Sequence, residues 1–464
     1  MTRTWLMFAA AIAVFGAASC AGGSTGAGTP PQRSAPSSRS GSGGSNLIQH
    51  VVLVIQENRS FDDFFATFPG ADGATQGLMK TPSGDQYVQL RKADLSEPCD
   101  FGHSWLTYRR DWDKGKMDAF NLEGGGGRCS GKAGTAVYQY VDPTQIAPYW
   151  SIAQQYVLAD QLFATQGSGS FTAHQDLIAG GTMIDAKQTK SVVDFPSAKP
   201  WGCDAPAGTV TSLLVANGTK KPLRQYDKGP FPCFTYATLR DLLDAKTVTW
   251  KYYSPREPGG TGSLWNAFDA IQAVREGPEW TTNIAEPKQF FTDVSGGTLP
   301  SVSWIVPDSA NSDHPGNGSD TGPSWVASIV NAVGESSYWD STAVVVVWDD
   351  WGGFYDNAPP PFMDQWGGLG FREAMLVVSP YAREGASSQP GYISHTQYEF
   401  GSILRFIEDT WGLGRLGTTD TRATSIVDCF DFTQQPRSFT PIGTKYSRSF
   451  FERQPPSGKP VDTE

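Results

Sequence analysis

Lysine and arginine never gather into a long run in this 464-residue chain, and Asp plus Glu outnumber them 47 to 36. The resulting formal charge of −11 excludes the basic stripe on which nucleic-acid binding usually rests. It does not exclude an anionic substrate, because a bound cation can reverse the local field. Histidine is scarce, with five in the whole chain. There is no Cys-x-x-Cys and no Cys/His cluster, which excludes a zinc knuckle. Past the first 20 residues no long apolar stretch is free of charges and turn residues, so no transmembrane helix is expected. No internal repeat is present.

What is there points to a large, exported globular domain. Hydrophobic residues make up 39% and aromatics 12%, with 15 Trp, enough for an α/β core with inserts. The 51 Gly and 32 Pro imply many loops, where sites tend to sit. Arg3 precedes an apolar stretch from Trp5 to Ala18, too short to span a bilayer and typical of a bacterial secretory signal. Ala17-Ala18-Ser19-Cys20 resembles a lipoprotein cleavage box, although Ala17 stands where Leu is usual. Lipidation of Cys20 would make a membrane tether; simple cleavage near Ala18 or Ser19 would release the chain. Residues 21–45 are Gly, Ser, Pro and Thr with almost nothing apolar, which predicts a flexible linker. The chain thus reads as a signal at 1–20, a linker at 21–45 and one domain over 46–464, placed outside the cytoplasm. Four of the remaining cysteines allow three pairings between which sequence cannot choose; Cys99 with Cys129 and Cys203 with Cys233 is the local one, leaving Cys429 odd.

Apolar runs without alternation predict strands buried on both faces, as in a parallel sheet. These are Leu47 to Gln56, Thr342 to Trp348 and Ala374 to Ser379, with weaker candidates at Val302–Val306 and Val248–Tyr253. Helical spacing appears at Ser324–Val333 and Gln397–Trp411. Strands alternating with helices imply an α/β sandwich, and residues 74–145 and 185–235 read as loop-rich inserts.

Two acidic clusters occupy equivalent places. Glu57-Asn58 follows one predicted strand and Asp349-Asp350 follows another. In an open α/β sheet such positions open onto one ligand-binding edge. Three carboxylates and an amide oxygen suit a hard divalent cation, although the acids could instead only cap loops or pair with Arg59 or Arg372. Gln166 to His174 is a glycine-rich turn with hydroxyls at Ser168 and Ser170, and a hydroxyl facing a cation can become a nucleophile. An ordinary polar turn would look the same. His50 starts a buried strand and reads as structural. His103, His174, His314 and His395 stand near hydroxyls, acids or a helix start, where a histidine can serve as general acid or phosphate contact.

Taken as a set, these segments resemble the bacterial phosphoesterase family, which contains phosphatidylcholine-type phospholipases C and a branch of acid phosphatases. Glu57-Asn58-Arg59-Ser60-Phe61-Asp62 resembles its first signature. Ser170-Phe171-Thr172-Ala173-His174-Gln175 resembles its nucleophile segment. Asp313-His314-Pro315 and Trp348 to Asp356 resemble its later motifs. The resemblance implies an alkaline-phosphatase-like α/β core, a mixed and mostly parallel sheet sandwiched by helices. It also implies a divalent cation on Glu57, Asn58, Ser170, Asp349 and Asp350, with Ser170 as nucleophile and Ser168 as the alternative. His103 and His314 would contact phosphate or move protons. Asn357 stands where many members carry histidine. The expected substrate is a phosphate ester or phospholipid; a soluble monoester, as for an acid phosphatase, is the alternative. A tethered binding protein on an inactive scaffold is the non-enzymatic one. A lipid substrate would predict an aromatic groove, for which Trp105, Trp112, Trp201 and Trp351 are candidates.

Overall fold

The computed structural model describes Leu47 to Val461, excluding residues 128, 220, 258–260, 362–363, 387–390 and 457–460. The signal, Cys20 and the linker lie outside the described residues. All the described residues belong to the unit Gly44–Glu464.

The apolar runs become strands because β-branched side chains pack well on a pleat covered on both faces. β1 is His50–Gln56, β2 Val157–Phe163, β3 Trp250–Tyr253, β4 Ile284–Ala285, β5 Val302–Ile305, β6 Thr342–Trp348, β7 Arg372–Val378, β8 Tyr392–Ser394 and β9 Tyr398–Glu399. They form one nine-stranded sheet in the order β4-β3-β5-β1-β6-β7-β2-β8, with β9 also pairing with β2. β7 alone runs antiparallel to its neighbours, so the sheet is mixed and mostly parallel. Apolar patterning misses β2 and the short strands β4, β8 and β9. Asp160 and Gln161 interrupt β2, yet Asp160 is buried because the Asp72 N–H and the His395 ring satisfy its carboxylate.

Helices cover both faces. Leu53 pairs with Trp304 on one side and Val345 on the other, so this row faces one way. Trp304 donates from its indole to the Leu177 carbonyl of the helix Ser170–Ala179. Gln56 pairs with Trp348, three residues further along β1 and therefore on the opposite face. There Trp348 packs on Tyr149 of the helix Ala147–Gln155, ring centroids 5.0 Å apart. The sheet is thus sandwiched by helices.

The inserts carry small sheets of their own. Cys99–Phe101 pairs with Gly124–Gly127, and Lys190–Val193 pairs with Ser212–Val215, which pairs with Leu223–Gln225. Disulfides join Cys99 to Cys129 and Cys203 to Cys233, and Cys429 is a buried free thiol. The first insert has a separate apolar cluster with Trp105, Trp351 and Phe371 in it. The aromatic groove is therefore not formed as expected: Trp105, Trp201 and Trp351 are buried in core clusters, and Trp112 is only partly exposed. Among the described residues no helix is long and apolar enough to cross a membrane.

Several carboxyls are buried, and this sets a pH dependence. Burial pushes Asp111 and Asp313 up to about 6 from 3.8, and Glu408 up to about 7 from 4.5. Each binds its proton more readily folded than unfolded. Between about pH 4 and 7 the native state therefore holds more protons, and stability falls as pH rises. Asp142, held down to about 2 by Lys92, works in the opposite direction but loses its contribution only below about pH 4. The metal-free protein should melt higher at about pH 5 than at about pH 7.5, and Glu408→Gln should shrink the difference. A midpoint that climbs across that range would contradict this linkage.

Candidate active site

The parallel strands present their carboxyl ends along one edge, and chemistry-bearing residues follow directly. β1 runs into Glu57 and Asn58, β6 into Asp349 and Asp350, and β5 leads to Asp313 and His314. β2 leads through the glycine turn to Ser170, the first residue of the helix Ser170–Ala179. β7, being reversed, starts at this edge with Arg372 and Glu373. All of these side chains are buried.

Glycines allow the loops to meet. Asn58 sits in the left-handed region at φ 57°, which asparagine tolerates. Its carbonyl oxygen lies 2.2 Å from where a Cβ on Gly352 would stand, so only glycine admits this approach. Gly167 is pressed likewise against the Tyr108 ring.

The resulting contacts join the two acidic clusters to the serine. The Asn58 backbone N–H donates to Asp349 Oδ1 at 3.1 Å. Its side-chain amide lies 3.0 Å from His103 Nε2 and 3.4 Å from Ser170 Oγ. Ser170 Oγ is 3.3 Å from Asp350 Oδ2, and His103 Nε2 is 3.9 Å from that same oxygen. Gly352 N–H holds the other Asp350 oxygen at 2.8 Å. His103 Nδ1 lies 2.7 Å from the Phe101 carbonyl and His314 Nδ1 2.7 Å from the Pro315 carbonyl. An Nδ1–H donating there leaves Nε2 as the acceptor of each neutral ring. The two rings are 6.4 Å apart, and His314 stacks on Trp265.

His174 departs from the expectation drawn from the sequence. It is not on a loop but one helical turn after Ser170, on the same face. Its Nε2 is 2.8 Å from Glu57 Oε1 and 3.7 Å from Asp349 Oδ2. Glu57, His174 and Asp349 each offer a ligand atom within 4.8 Å of the others. The i, i+4 spacing is the signal for this, and the histidine groups with the carboxylates rather than with His103 and His314. Asp350 stands instead beside Ser170.

Arg59 and Arg372 have contacts of their own beside the site. Arg59 donates to Asp63, to the Asp313 carbonyl and to the Leu95 carbonyl. Arg372 is taken up by Asp356, the Asp72 and Asp160 carbonyls and Asn357 Oδ1. Asn357 thus helps hold a buried arginine. Glu373, which sequence patterning does not single out, is a buried carboxyl whose pKa is raised well above 4.5 by burial and by Asp350, Asp356 and Asp349. Asp313 accepts from Tyr149 at 2.7 Å and from the Trp348 indole at 3.0 Å, and so fixes the segment carrying His314.

The donor set fits a hard divalent cation. Asn58 Oδ1 and Asp349 Oδ2 are buried and accept no hydrogen bond from any described residue. Buried oxygens without donors are costly unless a cation takes the donors' place.

The model of the family described as "Phosphoesterase family" matches residues 48–414. The chain belongs to the phosphoesterase family. This phosphoesterase is therefore a phosphoric ester hydrolase. It is 25% identical over 453 residues to "Phospholipase C A" of Mycobacterium tuberculosis, covering 85% of this chain and 79% of that one. It is 24% identical over 430 residues to "Non-hemolytic phospholipase C" of Pseudomonas aeruginosa, covering 79% of this chain and 54% of that one. A solved structure from Vibrio parahaemolyticus, described as a protein in the alkaline phosphatase superfamily, aligns with a TM-score of 0.36 at 10% identity. That alignment covers 82% of this chain and 72% of the other.

Proposed function

We propose that this phosphoesterase is a metal-dependent phospholipase C-like enzyme that cleaves phosphate esters through Ser170. The observation that carries the reading is the convergence of Ser170 Oγ on Asp350 and Asn58, beside the Glu57–His174–Asp349 cluster.

Glu57, Asn58, Asp349 and Asp350 would hold the cation, with His174 contributing or orienting Glu57. When bound, a divalent cation supplies positive charge to the phosphoryl oxygens and favours ionisation of a hydroxyl beside it. Ser170 Oγ attacks phosphorus; the Oγ–P bond forms as the P–O bond to the leaving alcohol breaks. The N-terminal position of Ser170 on its helix places peptide N–H groups and the positive dipole end near the phosphoryl group. Asn58 orients the hydroxyl through its amide. His103 and His314, each tethered at Nδ1, present an acceptor Nε2 that would take up the proton released by the Ser170 hydroxyl; the imidazolium so formed would contact phosphate and return the proton to the leaving oxygen, proton transfer worth about 10²–10⁴-fold. Water then breaks the Oγ–P bond and restores Ser170.

A substrate panel tests the reading. Phosphatidylcholine should release diacylglycerol and phosphocholine, faster than a soluble monoester is cleaved, and chelation should abolish both reactions. Efficient cleavage of monoesters with no action on phospholipid would transfer the enzyme to the acid phosphatase reading. No turnover of any ester with metal present would leave only a binding function.

A further inference from the structure

Beside His314 stands a turn whose side chains carry more hydrogen-bonding groups than the fold uses. Ser263 to Asn266 is a single turn, closed by the Asn266 N–H on the Ser263 carbonyl at 2.9 Å. Ser263, Trp265 and Asn266 are 1%, 0% and 2% exposed. Ser263 Oγ, Trp265 Nε1 and both polar atoms of the Asn266 amide make no hydrogen bond with any described residue. Unused groups at that depth are costly unless a ligand or ordered water answers them.

Contacts tie the turn to the candidate site. Trp265 stacks on His314, ring centroids 5.9 Å apart, and the His314 ring lies 6.4 Å from that of His103. The Trp265 carbonyl accepts the Tyr252 hydroxyl of β3 at 2.9 Å. Gln175, the residue after His174 on the nucleophile helix, donates to the Ala267 carbonyl at 2.7 Å. The turn is therefore strung between the histidine pair and the helix that Ser170 begins.

The backbone around it is held firmly. A Cβ at Gly262 would stand 2.2 Å from Asp269 Cγ, and one at Gly202 would stand 2.6 Å from the Asp269 carbonyl oxygen. Arg275 Nε lies 3.2 Å from the Asp269 carboxylate. The Phe234 N–H, one residue past the Cys203–Cys233 disulfide, donates to the Ala270 carbonyl at 2.7 Å. Polar groups on so fixed a segment are preorganised for a ligand.

The unused groups are mixed in kind, and this narrows the ligand. Trp265 supplies a donor, Asn266 a donor and an acceptor, and Ser263 can act as either. A phosphate oxygen without a proton only accepts, so it leaves the Asn266 carbonyl oxygen unanswered. Choline offers no N–H or O–H, and its ammonium seeks aromatic faces, of which Trp265 already gives one to His314. A hydroxyl both donates and accepts, and two neighbouring hydroxyls answer the whole set.

We infer that the turn Ser263–Asn266 is a specificity subsite for a hydroxyl-bearing alcohol esterified to the phosphate, glycerol being the simplest, with Asn266 and Trp265 reading its hydroxyls; this rests on the reading of Ser170 as the attacking group. Specificity then lies in what the alcohol carries, while the phosphate itself is held elsewhere in the site.

Two pairs of esters that differ only in hydroxyls test it, with divalent cation present: phosphatidylglycerol against phosphatidylpropanol in mixed micelles, and glycerol phosphate against propyl phosphate. The parent should favour the hydroxylated member of at least one pair by about tenfold or more in kcat/KM. The phospholipid pair reads a hydroxyl on the alcohol kept with the phosphate, and the monoester pair reads one on the leaving alcohol. Asn266→Leu should bring the ratio close to one. Trp265→Phe, which keeps a ring on His314 but loses the N–H, should lower it. A parent ratio near one for both pairs overturns the subsite and leaves ordered water as what satisfies the turn. A ratio that folded Asn266→Leu retains overturns it too, and Trp265→Phe decides should that variant not fold. If no ester is cleaved, the Ser170 reading fails, and calorimetry on Ser170→Ala decides the subsite alone. Tighter binding of glycerol phosphate than of propyl phosphate, by a margin that adding Asn266→Leu removes, keeps the subsite; equal binding ends it.

Discussion

Ser170→Ala should leave a folded protein that turns over at least about 10³-fold more slowly. Among the described residues the hydroxyl hydrogen-bonds with the side chains of Asp350 and Asn58, so its loss takes away the attacking atom without opening the core. Helix Ser170–Ala179 has Gly169 as its N-cap, and the Ser170 side chain does not cap it, so the helix start should survive the change. Rapid acid quench with labelled substrate should trap phosphate on the peptide containing Ser170. Ser168 is the natural competitor, and its surroundings argue for a structural role. Its Oγ accepts from Thr172 at 2.7 Å and from the Asp194 N–H at 2.9 Å. Ser168→Ala should therefore cost about 1–3 kcal/mol of stability while turnover changes modestly. Near-normal turnover by Ser170→Ala, or label on another residue, would redirect the mechanism to direct attack by water.

Asp349→Asn and Asp350→Asn should each lower activity at least about 100-fold and weaken divalent cation binding. The amide keeps the shape of the carboxylate. At 349 an amide oxygen can still accept the Asn58 N–H, and at 350 it can still accept the Gly352 N–H. The fold should persist while the charge that holds the cation is gone. Metal content after dialysis and a melting curve with and without added cation provide the readouts; the parent should be stabilised by cation and the variants far less. Full activity of an exhaustively chelated parent would dispose of the cation mechanism.

Much of the fold and of the candidate site is legible in the amino-acid sequence. Unbroken β-branched runs such as Val344 to Val347 read as strands buried on both faces, and the acids that follow them fall on one edge. The cysteine pairing is not decided by sequence, which allows three connectivities; the local one is the one that forms. β2 is not legible, because a buried Asp160 reads as a surface residue until its partners Asp72 and His395 are known, and both are distant in sequence. Glu373 stays hidden for a related reason. It heads the one reversed strand, and pairing direction is not written in apolar patterning. His174 is visible as a candidate, but its role depends on recognising that the nucleophile segment is helical, which puts residues 170 and 174 on one face. The tryptophans mislead because a large ring is equally at home in a core and on a lipid-facing rim.

The strand order also has a consequence for biogenesis. β1 carries Glu57 and Asn58 at its end, but its neighbours in the sheet are β5 and β6, whose first residues are 302 and 342. A growing or translocating chain therefore presents the first signature long before either partner strand exists. Until β5 has emerged both edges of β1 are open; its second edge stays open, and the carboxylates from the other cluster are absent, until β6 and the residues after it have followed. Long-range pairing of this kind comes late and slowly. Any chain threaded across a membrane from its N-terminus must have passed Asp350 of its 464 residues before it can acquire a working centre.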